Sequence, residues 1–316
     1  MFKLQLKPFT LHLLNQLVLP MKNYKILFAF LLIVPTFKAS AQSALYDTTE
    51  KAQLISKQFS FTEGASTDKY GNVFFTDQPN NKIWEYDVNG KLSLFLDSAG
   101  RSNGMYFDYK GNLITCADEH DQLWSISPDK KIKVLLTDFH GKLMDGPNDV
   151  WVDAKGGIFM TDPYCQRDYW TRKKPDLDAP NVYYLPKGAH QPIMVADGFK
   201  FPNGIVGTPD GKYLYVADLG LNKTFRYTIG KDGKLSDKVP VINQGSDGMT
   251  LDEKGNIYLT GKGVTIYDPT GKKIGHIEIN EPWTANLCFG GKDKNVLFIT
   301  ASTAIYTIKM NVKGVE

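Results

Sequence analysis

The chain of 316 residues is 42% hydrophobic and 12% aromatic, which is enough to bury the core of one large domain or of two ordinary ones. This composition excludes a disordered chain. The formal net charge of +3 arises at the N-terminus, because residues 1–41 carry five lysines and no acidic residue. The remainder is close to neutral, so no nucleic-acid partner is expected.

The N-terminal segment predicts an export signal, whether translation starts at Met1 or at Met21. After Met21, two lysines precede an apolar run of about ten residues, and Ala-Ser-Ala follows at 39–41. A membrane span would need about 20 apolar residues. We therefore expect residues 1–41 to be a cleaved signal peptide. The mature protein, a single domain over 42–316, should be secreted or periplasmic and make no membrane contact.

A repeat runs through the rest of the chain, consisting of a polar residue, a short strand, a glycine turn and a second strand. In five copies the turn glycine comes eight residues after the polar residue, and a sixth copy has one residue inserted. Each copy predicts a β-hairpin, because its turn chemistry and its β-branched and aromatic strands suit one. The copies begin at Glu63, Asn103, Asn148, Asn203, Asp247 and Asn286.

The spacing of the copies predicts an all-β fold, a six-bladed β-propeller. Two further strands follow most hairpins, and four strands in about 40 to 55 residues are typical of a propeller blade. The last copy is one strand short, whereas an extra strand at 52–60 precedes the first copy. We expect this N-terminal strand to close the last blade and so remove an exposed edge. Two stacked sheets are the alternative.

The six polar residues should form a ring, because the first strand of each blade lines the central channel. All six carry a side-chain oxygen, two are carboxylates, and none is His or Cys. This set suits Ca²⁺, with Mg²⁺, Mn²⁺ or Zn²⁺ as substitutes. Alternatively, Asn and Asp before Gly cap turns. A glutamate is a poor turn residue, so the complete ring favours a metal site.

The loops between second and third strands should open on the face that carries the ring. The third of these loops, between Asp162 and Asn181, is about three times longer than the others, and loops of such length are usually functional or disordered. Its aromatic residues suit a lid over a ligand and its cations suit an anionic or polyhydroxyl one, with a solvated excursion as the alternative. The candidates are Tyr164, Arg167 and Trp170, with Tyr169, Arg172 and Lys173 beside them.

Two further patterns concern side chains in these loops. His120 could hold a substrate hydroxyl or shuttle a proton, or could be an ordinary exposed histidine. An aspartate recurs at or just after the second strand of four blades, which is too regular for unique chemistry, and we interpret these aspartates as structural. The set consists of Asp77, Asp118, Asp162 and Asp218.

The chain resembles the gluconolactonase and regucalcin (senescence marker protein) family of six-bladed calcium propellers. The resemblance rests on Glu-Gly at Glu63, Pro-Asn-Asp at Asn148, Pro-Asn-Gly at Asn203 and Ser-Asp-Gly-Met at Asp247. It implies that these four residues bind the cation. We assign Asn103 and Asn286, the other two ring positions, to substrate binding.

One position departs from the pattern that the resemblance implies. The regucalcin branch has a substrate-binding arginine two residues before the third-repeat asparagine, where this chain has Gly146. Arg101, two residues before Asn103, or the cations of the long loop are the candidates to replace it.

The resemblance implies a metal-dependent lactonase that opens a sugar lactone or a similar cyclic ester. The cation would polarise the carbonyl, and Asp247 would act as base toward water. Metal-bound water, or direct attack by Asp247, are alternatives that the residues leave open. A phosphotriesterase-like hydrolase and a secreted, non-enzymatic binding propeller with a structural ion are the alternative functions. We expect a monomer acting on a small molecule, a lactone or sugar acid derivative.

Overall fold

The computed structural model describes residues 45–315, which form six four-stranded antiparallel sheets. The predicted export signal lies outside the described residues and stays a prediction. Among residues 45–315, no helix has the length and apolar character needed to cross a membrane.

The strands are numbered in chain order, and each blade is given from its innermost strand outwards. Strand β1 (Gln53–Ser56) comes first in the chain and lies in the last blade. Blade I comprises β2 (Thr62–Thr67), β3 (Val73–Asp77), β4 (Lys82–Tyr86) and β5 (Leu92–Asp97). Blade II comprises β6 (Ser102–Phe107), β7 (Leu113–Ala117), β8 (Gln122–Ile126) and β9 (Ile132–Leu136). Blade III comprises β10 (Val150–Val152), β11 (Ile158–Asp162), β12 (Asn181–Leu185) and β13 (Ile193–Ala196).

The second half of the ring follows the same plan. Blade IV comprises β14 (Pro202–Gly207), β15 (Tyr213–Asp218), β16 (Lys223–Ile229) and β17 (Leu235–Ile242). Blade V comprises β18 (Met249–Leu251), β19 (Ile257–Leu259), β20 (Val264–Tyr267) and β21 (Lys273–Ile277). Blade VI comprises β22 (Thr284–Gly290), β23 (Val296–Ala301), β24 (Ala304–Lys309) and, as its fourth strand, β1. A short 3-10 helix, Asp118–His120, follows β7.

The turn inside each inner hairpin is fixed by its own sequence. In blade I, Asp68 Oδ1 accepts the backbone N–H groups of Tyr70 and Asn72 at 2.8 and 2.9 Å. Gly71 takes the positive φ of 93° that the turn needs. Asp108 makes the equivalent bonds in blade II. The Asp-x-x-Gly pattern, which recurs in blades I, II, III and V, therefore determines where these hairpins turn.

The N-terminal strand closes the ring, as the sequence predicts. It is shorter than the predicted segment 52–60, and it pairs with β24 so that Gln53 lies opposite Thr307. Blades VI and I are also joined directly, because Gly291 N donates to Gly71 O at 2.9 Å. Lys294 Nζ reaches Thr67 Oγ1 across the same junction at 3.1 Å. The prediction of a six-bladed propeller closed by its N-terminal strand is confirmed.

The core lies within and between neighbouring blades. At the junction of blades VI and I, the rings of Phe75 and Phe298 are completely buried and 5.4 Å apart. Phe59 packs edge-on against Phe75 at 5.1 Å. Burying one such side chain stabilises the fold by about 1.5–3 kcal/mol. This packing holds the inner strands in place around the axis.

Candidate active site on the propeller axis

The six polar residues predicted to form a ring all lie at the inner ends of their blades. Four of them lie near the start of the innermost strand of their blade: Glu63, Asn103, Asn203 and Asn286. The other two, Asn148 and Asp247, lie two residues before the first residue of their innermost strand. Every one is buried, with exposed fractions between 3% and 9%. Six buried polar side chains at equivalent positions agree with the predicted ring.

Glycine follows four of the ring residues because the next blade leaves no space for a side chain. A Cβ on Gly64 would lie 2.0 Å from Asn103 O, and one on Gly104 would lie 2.6 Å from Asn148 O. A Cβ on Gly248 would lie 2.4 Å from Cγ of Asn286. These glycines serve close approach of the inner strands rather than turns, so simple turn capping does not explain the repeated motif.

Two carboxylates of the ring interact in this buried setting. Burial, followed by the charge of Asp247, raises the pKa of Glu63 well above its ordinary value. Burial also raises the pKa of Asp247, to about 6, although Trp283, Asn203 and Glu63 oppose the shift. Two buried carboxyl groups that interact favour a state in which a proton is held by the pair, and a bound cation can take the place of that proton.

The ring residues fit a hard divalent cation. Within residues 45–315, Asn203 Oδ1 is buried and has no hydrogen-bond partner. Together with the carboxylates of Glu63 and Asp247 and the amide of Asn148, it makes an all-oxygen donor set, which Ca²⁺ prefers. The described part of the chain contains no group of three or more His, Cys, Asp or Glu able to hold a metal. A cation on the axis would therefore depend on the amide oxygens.

Two residues near the ring were missed by the sequence reasoning. Trp283 Nε1 donates to Asp247 Oδ2 at 2.6 Å, and Ser302 holds the backbone of Trp283 through two hydrogen bonds of 3.1 Å. Asp149 is buried, and its charge contributes to the raised pKa of Glu63. Asp149 directly follows Asn148 in the Pro-Asn-Asp motif, which was a usable signal. Trp283 has no counterpart in the other repeats, so the sequence contained no signal for its role.

The long loop, residues 163–180, packs onto blade II and is not a solvated excursion. Trp170 is only 5% exposed, and its Nε1 donates to the carbonyl oxygen of Asp118 at 2.8 Å. Arg167 Nε donates to Asp118 Oδ2 at 2.9 Å, and the Tyr169 hydroxyl donates to the same oxygen. Leu177 is buried in the hydrophobic core. The loop is therefore an ordered part of the domain.

A second attachment of the loop is centred on Arg172. Its Nη2 lies 2.6 Å from Asp121 Oδ1, and its Nη1 lies 3.6 Å from Asp145 Oδ1. Its guanidinium also stacks on the Trp170 ring at 4.1 Å. Asp145 Oδ1 in turn accepts the backbone N–H of Asp176 at 3.0 Å. Arg172, a cation considered for the ligand, is therefore engaged in holding the loop.

Arg101 and Arg167 border the same surface pocket, of about 620 Å³. The guanidinium of Arg101 stacks on the Tyr169 ring at 4.5 Å, and its Nη1 donates to Pro79 O at 2.7 Å. Arg167 is close enough to the ring for its charge to lower the pKa of Asp247. The structure therefore brings these two substrate candidates together beside the axis.

The other two loop candidates make contacts elsewhere on the rim. His120 is exposed and stacks on Trp124, with ring centroids 5.6 Å apart. The Tyr164 hydroxyl donates to Gln166 Oε1 within the long loop itself. Neither side chain lines the pocket that Arg101 and Arg167 share. Their assignment to substrate binding stays a prediction.

Gly146 occupies the position at which the resemblance implied an arginine. It has a φ of 122°, and an added Cβ would lie 2.8 Å from Cη2 of Trp170 and 3.3 Å from Asp118 Oδ1. The indole of Trp170 therefore fills the space that a side chain at 146 would need. The missing arginine and the folded loop are parts of one local arrangement.

We expect Gly146→Ala to lower the free energy of unfolding by about 1–3 kcal/mol more than Gly188→Ala, because only the first overpacks a neighbour. Gly188 is a matched control, since its φ is also positive, 77°, but a Cβ there would have no atom within 4 Å. Chemical denaturation of both variants measures the difference. Equal losses would show that Trp170 yields without strain.

Residues 46–303 match the family model described as SMP-30/Gluconolactonase/LRE-like region. The chain belongs to this family. The resemblance inferred from the ring motifs is thereby confirmed.

Three similar proteins show how this family relates to the chain. A gluconolactonase of Zymomonas mobilis is 25% identical over 303 residues, which cover 86% of this chain and 84% of that protein. The diisopropyl-fluorophosphatase of Loligo vulgaris is 26% identical over 239 residues, which cover 66% of this chain and 75% of that protein. A solved gluconolactonase structure from Xanthomonas campestris, 24% identical, gives a TM-score of 0.78 and covers 86% of this chain and 92% of its own. At that identity, the structural similarity shows the fold.

Proposed function

We propose that this protein is an exported, cation-dependent hydrolase that opens a sugar lactone or a similar cyclic ester. The observation that carries the proposal is the buried all-oxygen set on the axis, in which Asn203 Oδ1 lacks a partner among residues 45–315. The similarity to a gluconolactonase over 86% of the chain supports the reaction class. Export rests on the leader sequence alone, and we propose a monomer because the ring is closed within one chain.

Glu63, Asn148, Asn203 and Asp247 would hold the cation, with Ca²⁺ as the first choice. When bound, the cation supplies Lewis-acid polarisation of the ester carbonyl. Asp247 is the proposed base, which removes a proton from the attacking water. Trp283 fixes one oxygen of this carboxylate through its 2.6 Å hydrogen bond.

The remaining candidates would bind the substrate around this centre. Asn103 and Asn286 are the two ring amides outside the proposed cation set. Arg167 and Arg101 offer donors from the pocket at the rim. The long loop covers part of this face through Trp170, which would exclude water from the bound ester.

A phosphotriesterase-like hydrolase is the second candidate function. It is favoured by the similarity to the diisopropyl-fluorophosphatase, which covers 75% of that protein. A lactone and an organophosphate substrate both present a polarisable oxygen to a cation, so the ring alone does not distinguish the two functions. Parallel kinetic measurements on lactones and organophosphates would distinguish them.

We expect the purified protein to bind one divalent cation per chain through the ring. Elemental analysis after dialysis, with calcium titration by calorimetry, measures the stoichiometry. The matched variant Asn203→Leu is similar in size but removes the orphaned amide oxygen, so its affinity should fall at least tenfold. Wild-type affinity in this variant would remove Asn203 from the ligand set.

The same preparation tests the reaction. A panel of sugar lactones should be hydrolysed with calcium present, and activity should disappear after the protein is made calcium-free and return on calcium addition. Cation binding without hydrolysis of any lactone or organophosphate would favour the non-enzymatic binding propeller with a structural ion.

A further inference from the structure

The aspartate that recurs after the second strand has a common structural role in three blades. Its carboxylate accepts a backbone N–H from the segment that leads into the innermost strand of the same blade, which fixes that segment beside the ring. The donor and acceptor pairs, each 3.0 Å apart, are Ser60 to Asp77, Asp145 to Asp162, and Phe201 to Asp218. The structural interpretation therefore holds for these three members.

Asp118, the member in blade II, makes different contacts. The N–H of Arg101, in the corresponding segment, donates instead to Asn81 Oδ1 at 2.7 Å. Asp118 Oδ2 accepts from side chains: Arg167 Nε at 2.9 Å, the Tyr169 hydroxyl and Gln78 Nε2 at 3.2 Å. Two of these three donors belong to the long loop. Asp118 has thus exchanged the backbone-capping role of its counterparts for attachment of the loop.

We propose that Asp118 is the positioning residue of a preformed lid, residues 163–180, and that the lid presents Arg167 to an oxygen-rich group, hydroxyl or carboxylate, of the substrate. The attachment follows from the contacts alone. The role of Arg167 rests on the proposed function, because it concerns the substrate of that same site.

The geometry around Arg167 explains why this residue should meet the substrate. Its Nε is engaged by Asp118, which is 2% exposed, whereas the Arg167 side chain remains 23% exposed. Arg167 lines the same pocket as Arg101 and Gln78. The terminal guanidinium nitrogens are therefore the donors that a ligand in this pocket encounters. An arginine held in one orientation loses little side-chain entropy when it binds oxygen atoms.

Limited trypsin digestion tests the attachment without any need for activity. The lid contains three trypsin sites, after Arg167, Arg172 and Lys173, because Pro175 blocks cleavage after Lys174. We expect Asp118→Asn to speed cleavage in the lid at least tenfold, because the charge that holds Arg167 is lost. The matched control is Asp218→Asn, which weakens a backbone cap at the equivalent position and should leave lid cleavage within twofold of wild type. Mass spectrometry identifies the cleaved bonds.

A second variant keeps the test decisive if Asp118→Asn does not fold. Tyr169→Phe removes one hydroxyl donor to Asp118 and retains the ring that stacks on Arg101, so lid cleavage should rise three- to tenfold. Lid cleavage at the wild-type rate in whichever of Asp118→Asn and Tyr169→Phe folds would overturn the attachment role. Lid cleavage in Asp218→Asn as fast as in that variant would overturn it as well.

Kinetics with two lactones test the substrate contact. Arg167→Gln should raise KM at least tenfold for a sugar lactone while kcat changes less than threefold. For an unsubstituted lactone of the same ring size, which offers no hydroxyl, KM should stay within twofold. An equal change on both lactones, or none on either, would overturn the substrate role of Arg167. If neither lactone is hydrolysed by the wild type, the proposed function fails, and the digestion experiment still decides the attachment.

Discussion

Replacing Asp247 by Asn is expected to lower turnover by roughly two to four decades while the cation stays bound. Asparagine keeps an oxygen that can bind a cation, but it cannot accept a proton from water. The Trp283 indole can still donate to that side chain, because its 2.6 Å bond to Oδ2 needs only an acceptor. Steady-state kinetics on the best lactone, with calcium titration of the same sample, measure both properties.

Asp149→Asn is the matched control for this variant. Asp149 is a buried carboxylate whose charge also reaches Glu63, but it is not one of the six ring residues. Its replacement should reduce turnover less than tenfold. Wild-type turnover in Asp247→Asn would reject Asp247 as base, and loss of cation and activity together would make it chiefly a ligand.

The fold could be predicted because every level of the sequence repeats. The Asp-x-x-Gly turns, the polar residue eight positions before the turn glycine and the β-branched and aromatic strands recur in most copies, so a weak signal in one copy is reinforced by the others. The missing strand of the last blade was itself informative, since a closed ring leaves no unpaired edge there. The structure shows β1 in that place.

The ring was predictable for a related reason, but its surroundings were not. Equivalent positions in successive blades must converge on the axis, so Glu63 and Asp247 could be placed together from their spacing. Trp283 lies in a segment without a repeat counterpart, and its contact with Asp247 depends on how that segment enters blade VI. Repetition gives no information about such unique residues.

The long loop shows the same limit. Its length and composition predicted a lid, but which residues face a ligand and which hold the loop depends on side chains from another blade. Arg172 was a ligand candidate by composition and instead pairs with Asp121 and Asp145. Asp118 was interpreted as structural because it belongs to a repeated set, and only its hydrogen bonds to side chains, two of them from the long loop, distinguish it from that set.

Calcium is expected to stabilise the protein strongly, and more strongly at pH 7.5 than at pH 5. A ligand that binds only the folded state at about a thousand times its dissociation constant adds about 4 kcal/mol to the free energy of unfolding. Without the cation, burial raises the pKa of Asp247 to about 6 and that of Glu63 well above its ordinary value. The charge of Asp149 raises the pKa of Glu63 further, whereas the charge of Arg167 lowers the pKa of Asp247 and so opposes the effect of burial.

The direction of the pH dependence follows from these shifts. A carboxyl group whose pKa is higher in the folded than in the unfolded state contributes stability below its unfolded pKa and loses it as the pH rises through the folded value. The calcium-free protein should therefore lose stability as the pH rises from about 4 to above 6. Calcium replaces the shared proton, so the stabilisation that it provides should grow over the same interval.

Thermal unfolding of dialysed, calcium-free protein, with and without added calcium at each pH, measures this difference. Comparing samples at the same pH cancels the titration of the rest of the molecule. Glu63→Gln is the matched control, because it keeps an oxygen near the backbone N–H of Gly64, at 3.0 Å from Glu63 Oε2, but removes one of the two titrating carboxyl groups. Its calcium-induced shift in melting temperature should be smaller and should depend less on pH, because only Asp247 still titrates. A wild-type shift of equal size at pH 5 and pH 7.5 would show that the cation does not replace a proton held between Glu63 and Asp247.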